Sequence, residues 1–238
     1  MDAQVRIGTT REFKLRHAVL VYGDGSGAFC TLHKVRTEDG TAPYLEPAQP
    51  LSTEFLRRLA EGLGRRMAPE VLPENVLAKT PDLIVWWTRA CLRVMFFSGG
   101  TEETRSLNGH VYPHPALVFK VKGQSLFVRA LANDARPDAQ TALKTAPYWN
   151  TRQGNGLVCL GTTRLPDSTS ADSVIEWEQA FFRSSFTHAY GAVRLTSFPG
   201  GFTALWNHLA SREGFFPVKF LTDANQTLRD FVEEECEN

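Results

Sequence analysis

Two apolar runs, Ala116–Val121 and Ser125–Ala132, are separated only by Lys122-Gly123-Gln124. Three residues around a glycine make a hairpin turn, so this stretch constrains the chain to an antiparallel sheet. Asp82–Thr88 and Cys91–Ser98 are also rich in Val, Ile, Trp and Phe and read as strands. Four such runs in sequence order predict an antiparallel four-strand meander. Apolar residues make up 42% and aromatics 11% of the 238 residues, enough for a sizeable core and too much for a disordered chain.

Upstream, Phe13–Tyr22 and Ala28–Arg36 flank Gly23-Asp-Gly-Ser-Gly27 and predict a β-hairpin. A phosphate-binding loop would have to open a helix; here a strand follows, which argues against that reading. The proline-spaced stretch 42–50 reads as a linker. Ser52 then caps a predicted helix over 53–67, with Phe55, Leu56, Leu59 and Leu63 on its apolar stripe. Arg57, Arg58, Arg65 and Arg66 fall on its polar side. They are either a solvated face or a docking surface for a partner protein.

Residues 133–155 carry no periodicity and include Pro137 and Pro147. A loop this long in a compact domain is usually functional. It leads into Asn150-Thr-Arg-Gln-Gly-Asn-Gly-Leu-Val-Cys159-Leu160, in which a glycine-rich polar turn precedes a cysteine. After it the pattern becomes helical. Ser173 and Glu176 have the spacing of a capping box, and Trp177, Phe181, Phe182 and Phe186 form an apolar face. A second helix is expected over 203–211 and a last short one over 225–235, before an acidic end. Strands followed by helices place the chain in the α+β class.

Acidic and basic residues balance at 26 each, whereas a nucleic-acid glove usually shows a basic surplus. Cys30, Cys91, Cys159 and Cys236 are widely spaced, which fits neither a zinc site nor a disulfide framework. His110 and His114 have metal-like spacing, but Pro113 and Pro115 forbid the helix that would align them, so no metal is expected. Nor does any motif call for a cofactor. The first residues lack an apolar signal-type core and no apolar run could span a bilayer, so a cytoplasmic protein with reduced thiols is expected. Cys30 and Cys91, within strand-like runs, are expected to be inert core residues. Cys236 sits among carboxylates that disfavour its thiolate.

The order helix, meander, long loop, cysteine, helices is similar to that of ubiquitin-conjugating (UBC-like) enzymes over about residues 50–215. In that family an asparagine closes a His-Pro-Asn motif, and a Gly-x-(Ile/Val)-Cys-Leu step follows a turn. Here Asn150 is kept, Gly156-Leu-Val-Cys159-Leu160 supplies the step, and Tyr148-Trp149 replaces His-Pro. A closer resemblance is to the PRTRC system protein B group of prokaryotic homologues. It rests on Pro115-Ala-Leu-Val-Phe-Lys-Val121, Leu126-Phe-Val-Arg-Ala-Leu131, Ala146-Pro-Tyr-Trp-Asn150, Val158-Cys-Leu-Gly161, Phe186-Thr-His188 and Leu205-Trp206.

The resemblance implies a UBC-like domain over 49–238, preceded by a β-hairpin extension over 1–48. It implies that Cys159 carries a ubiquitin-like modifier as a thioester. A ThiF-like activating enzyme and a small modifier protein would be partners, with a JAB-type metallopeptidase in the same gene neighbourhood. Asn150 is then a candidate amide donor to the tetrahedral oxyanion, or equally a turn residue bonded to its own loop. His188 is a candidate base by analogy, although a helix-end histidine is the commoner case. Three functions follow: a conjugating enzyme, a catalytically inactive scaffold of the same fold, and a nucleic-acid-binding protein, the last weakened by the neutral charge.

Overall fold

The computed structural model describes residues 4–6, 12–23, 27–37, 42–62, 71–99, 101–166, 168–188, 194–210 and 214–234. The chain divides into two compact units, Met1–Pro69 and Glu70–Asn238.

In the first unit, β1 (Gln4–Arg6) pairs antiparallel with β2 (Glu12–Lys14). The expected hairpin is formed by β3 (His17–Gly23) and β4 (Ala28–Arg36), in register from His17↔Lys34 to Gly23↔Ala28. A short β5 (Tyr44–Leu45) extends it. Helix α1 (Thr53–Gly62) begins where Ser52 Oγ accepts the Phe55 N–H at 3.1 Å, a side-chain cap as the sequence predicts. The rest of the expected helix, 63–67 with Leu63, Arg65 and Arg66, lies outside the described residues. Leu56 and Leu59 of its apolar stripe are exposed. Cys30, expected in a core, is exposed on β4. A two-to-three-stranded ribbon has too little depth to bury both of its faces.

The second unit contains β6 (Val76–Lys79), β7 (Leu83–Thr88), β8 (Cys91–Val94), β9 (Phe96–Phe97), α2 (Glu102–Ser106) and β10 (Val111–His114). Then follow β11 (Leu117–Lys122), β12 (Ser125–Ala130), β13 (Ala142–Thr145), α3 (Val174–Phe182), β14 (Ser185–Phe186), α4 (Gly201–Ala210), β15 (Asp223–Thr227) and α5 (Leu228–Glu233). Its main sheet has six strands in the order β15-β13-β12-β11-β7-β6, all neighbours antiparallel.

This corrects the expected meander. The 91–98 run leaves the main sheet: β8 pairs with β10, β9 pairs in parallel with β14, and β7 pairs directly with β11. An apolar run shows that a strand is buried, not which strand is its neighbour. The 133–155 stretch, expected as one loop, contains β13. The expected last helix starts as β15 and becomes helical only at Leu228, where Thr227 and Asp230 form a capping box. The predicted box at Ser173 does not form. Ser173 Oγ instead donates to the Ser168 and Ser170 carbonyls.

The sheet is buried on both faces. Ile84, Trp86, Phe119, Val121, Leu126 and Val128 pack with Trp177 and Phe181 of α3 and Leu205 and Trp206 of α4. The alternate residues Val85, Trp87, Val118 and Phe127 face Leu228 and Phe231 of α5. Alternation along the strand sends neighbours to opposite faces, and with both faces covered the strands read as unbroken apolar runs. Lys120 and Arg129 are the exceptions: both are fully buried, and each is next in the period-2 series to a residue of the α5 face. Lys120 Nζ donates to the Phe231 carbonyl at 2.7 Å, near the last turn of α5, and lies over the Phe127 and Phe231 rings. Among the described residues, no helix is long and apolar enough to cross a membrane.

Candidate functional site

The cysteine lies at the end of a tight backbone loop. Thr151 and Val158 form an antiparallel bridge, closed by Arg152 N–H to Leu157 O and Gly156 N–H to Arg152 O, each 2.9 Å. The returning strand is laid against β12: Val128 N–H donates to Gly156 O, and Val158 N–H to Leu126 O. Gly156 is required here. Its φ is +79°, and a Cβ would lie 2.6 Å from the Val128 carbonyl oxygen. Val158 is buried, while the next residue, Cys159, is exposed and unpaired. Alternation across the short strand, anchored by the buried Val158, turns the thiol outward.

Cys159, Asn150 and His188 come together through the backbone. Cys159 N–H donates to Asn150 O at 2.7 Å, and Asn150 N–H donates to His188 O at 2.9 Å. Asn150 is buried and left-handed, with φ 59°, a conformation asparagine tolerates better than most residues. Its side chain clamps the 185–188 segment. Nδ2 donates to Ser185 O at 2.8 Å, and Oδ1 accepts from Thr187 N–H at 3.1 Å and Thr187 Oγ1 at 3.0 Å. These side-chain bonds run to a segment 35 to 37 residues further along the chain, not to the loop of Asn150 itself. Ser185 O takes one of the two amide protons. The imidazole of His188 is exposed and its Nδ1 is 2.8 Å from Thr187 Oγ1.

Tyr148 and Trp149, where the related motif has His-Pro, lock the loop by aromatic packing. Trp149 stacks on Phe202 of α4 at 4.6 Å and meets Phe97 edge-on at 5.9 Å. Tyr148 is fully buried and its hydroxyl is 2.8 Å from His114 Nδ1. The Arg93 carbonyl lies 3.3 Å from His114 Nε2, so Nε2 carries the proton and Nδ1 accepts from the tyrosine. Burial pushes the His114 imidazole down to about 3, so it is neutral. His110, by contrast, is exposed, with its Nε2 3.0 Å from the Ser106 carbonyl oxygen.

Arg129 was not singled out from the sequence. It donates from Nη1 to Gln153 O at 2.7 Å, from Nη2 to Gly154 O, and from Nε to Gln226 Oε1 at 3.1 Å. Burial lowers its pKa to about 10, which still leaves it charged at neutral pH. A single arginine inside an apolar strand run was the available signal.

Of the four candidate docking arginines, Arg57 and Arg58 lie on α1 in the first unit, and Arg65 and Arg66 lie outside the described residues. Arg57 bridges Glu54 and Glu61, and Arg58 also bonds Glu54, all exposed. These i,i+3 and i,i+4 pairs are the ordinary ties of a solvated helix.

Residues 54–224 match the family model for prokaryotic E2 family D. No curated protein and no solved structure matches the chain. The matched span, well over half of the chain, opens within α1 and closes within β15, and it contains every residue of the cysteine loop. The chain belongs to prokaryotic E2 family D.

Proposed function

We propose that this member of prokaryotic E2 family D is a conjugating enzyme that carries a ubiquitin-like modifier as a thioester on Cys159. The observation behind this reading is an exposed thiol on a short strand whose backbone is bonded on both sides, beside Asn150 and His188. Such a thiol is reachable by a protein-sized electrophile and held still for attack.

The Cys159 thiolate attacks the carbonyl carbon of a modifier C-terminus held as a thioester on an activating enzyme. The tetrahedral oxyanion collapses and expels the activating enzyme's thiolate, leaving the modifier on Cys159. An acceptor amine then attacks the same carbonyl, loses its proton and expels the Cys159 thiolate, forming an amide. ATP is consumed only by the activating enzyme. His188, exposed beside the loop, is the candidate to receive the acceptor's proton. Asn150 acts through the fixed position of the 185–188 segment, and its second amide proton is the candidate oxyanion donor. The partners are a ThiF-like activating enzyme and a small modifier protein. A JAB-type metallopeptidase of the PRTRC kind would reverse the product.

A charging assay tests this. The protein is mixed with ATP, a ThiF-like enzyme and a small ubiquitin-like protein, then run on a non-reducing gel. A band larger by one modifier, erased by dithiothreitol and absent in Cys159→Ala, is expected. Because Cys159 is exposed, that variant should keep wild-type stability within about 0.5 kcal/mol. The second reading, an inactive scaffold, is favoured by the engagement of Asn150 with Ser185 and Thr187. It takes over if the activating enzyme charges itself and never this protein.

A further inference from the structure

The buried guanidinium of Arg129 joins two segments far apart in sequence. Its Nη1 and Nη2 hold the consecutive carbonyls of Gln153 and Gly154, the tip of the turn that returns to Cys159. Its Nε holds Gln226 Oε1 on β15. The Gln226 amide is oriented by its other end, where Nε2 donates to Glu234 Oε2 at 2.8 Å, just past α5. That leaves only the amide oxygen to face the arginine. The connection sits on the α5 face of the sheet, where Arg129 and Lys120 are buried cations on a mostly apolar surface.

Within the turn, Arg152 N–H donates to Leu157 O, Gly156 N–H to Arg152 O and Leu157 N–H to Asn155 Oδ1, while Gly156 O accepts from Val128 N–H of β12. A planar fork with donors in three directions suits two adjacent carbonyls and one amide oxygen; a lysine ammonium, a point charge on a flexible stem, does not.

We infer that Arg129 is the positioning residue of the cysteine turn and that Gln226 and Glu234 hold it in place. The C-terminal strand and helix thus form part of the reaction machinery, although Gln226 and Glu234 lie beyond the span matched by the family. For catalysis this rests on the reading of Cys159 as the thioester carrier; the positioning itself does not.

The test uses the full-length protein and two readouts. Amide hydrogen exchange is followed at 151–158 and, as a reference, at 117–122 in the centre of the sheet, for Arg129→Lys, Gln226→Ala and Glu234→Gln. The expected result is exchange at 151–158 faster by about tenfold or more in Arg129→Lys and Gln226→Ala, with 117–122 unchanged. A smaller change in the same direction is expected for Glu234→Gln. If Arg129→Lys fails to fold, the same comparison is carried by Gln226→Ala, which removes one neutral acceptor from the surface side of the connection. Unchanged exchange at 151–158, or equal acceleration of 117–122, overturns the inference, because Arg129 would then serve general stability.

In the charging assay, the same variants should slow modifier transfer onto Cys159 at saturating activating enzyme, with the half-saturating concentration unchanged. Wild-type protein that is never charged defeats the thioester reading while leaving the exchange result intact. Local loosening with an unchanged transfer rate defeats the catalytic part of the inference alone.

Discussion

The sharpest pH dependence at the residue scale comes from His114. The folded imidazole is held neutral down to about 3, whereas an unfolded one protonates near 6.5. Between those values the unfolded chain binds more protons, so the group makes stability rise with pH. It is lost progressively as pH falls below 6.5 toward 3. The slope approaches about 1.4 kcal/mol per pH unit for one such group. Urea unfolding of wild type and His114→Gln at pH 7, 6 and 5 should show this extra slope in wild type only. Taking the difference cancels other titrating groups, including the buried Glu178, whose carboxyl is raised by burial despite Arg93 beside it. Gly156→Ala places a Cβ against the Val128 carbonyl in a left-handed backbone, and should cost about 2–4 kcal/mol in the same measurement. A glycine one residue after Asn155 was readable as a turn, but its need for glycine was not. The clash is with a carbonyl 28 residues earlier in the chain.

At the element scale, the cysteine loop depends on what grips it. Asn150→Ala removes one donated and two accepted bonds shorter than 3.2 Å that tie the loop to 185–188. The expected loss is about 2–3 kcal/mol, with amide exchange faster in both segments. If only charging fails and exchange is unchanged, Asn150 acts as an oxyanion donor rather than a clamp. Trp149→Ala removes the stacked contact with Phe202 and the edge contact with Phe97, and should cost about 2–4 kcal/mol by thermal or urea unfolding. The sequence marks this loop through Asn150, the glycines and Cys159. It does not reveal that Tyr148 and Trp149 replace local turn chemistry with packing against α3 and α4. That depends on rings from three other elements, β9, α3 and α4, meeting in one core.

For the whole second unit, stability comes from a sheet covered on both faces. Helix α5 is only six residues long, yet its Phe231 is fully buried against the sheet and its C-terminal carbonyl holds Lys120. Phe231→Ala should therefore cost about 3–5 kcal/mol, far more than a terminal six-residue helix would otherwise contribute, as read from urea midpoints. An unchanged midpoint would remove α5 from the fold's core.

The sequence by itself determined the features that depend on near neighbours. These are the hairpins β3–β4 and β11–β12, the Ser52 cap, the apolar face of α3 as far as Phe182 (Phe186, expected on it, lies on β14), and the glycine-rich turn before Cys159. Periodicity and turn chemistry act over a few residues, so they are legible without a partner. Tertiary structure decided the exit of β8 from the main sheet, the strands β6, β10, β13 and β15, and the hold of Arg129 on the cysteine turn. Strands of four or five residues carry too little pattern to declare a partner. A buried arginine shows only that something must satisfy it. Which carbonyls do so is settled by segments 24 to 97 residues away, brought together when the two faces of the sheet are covered.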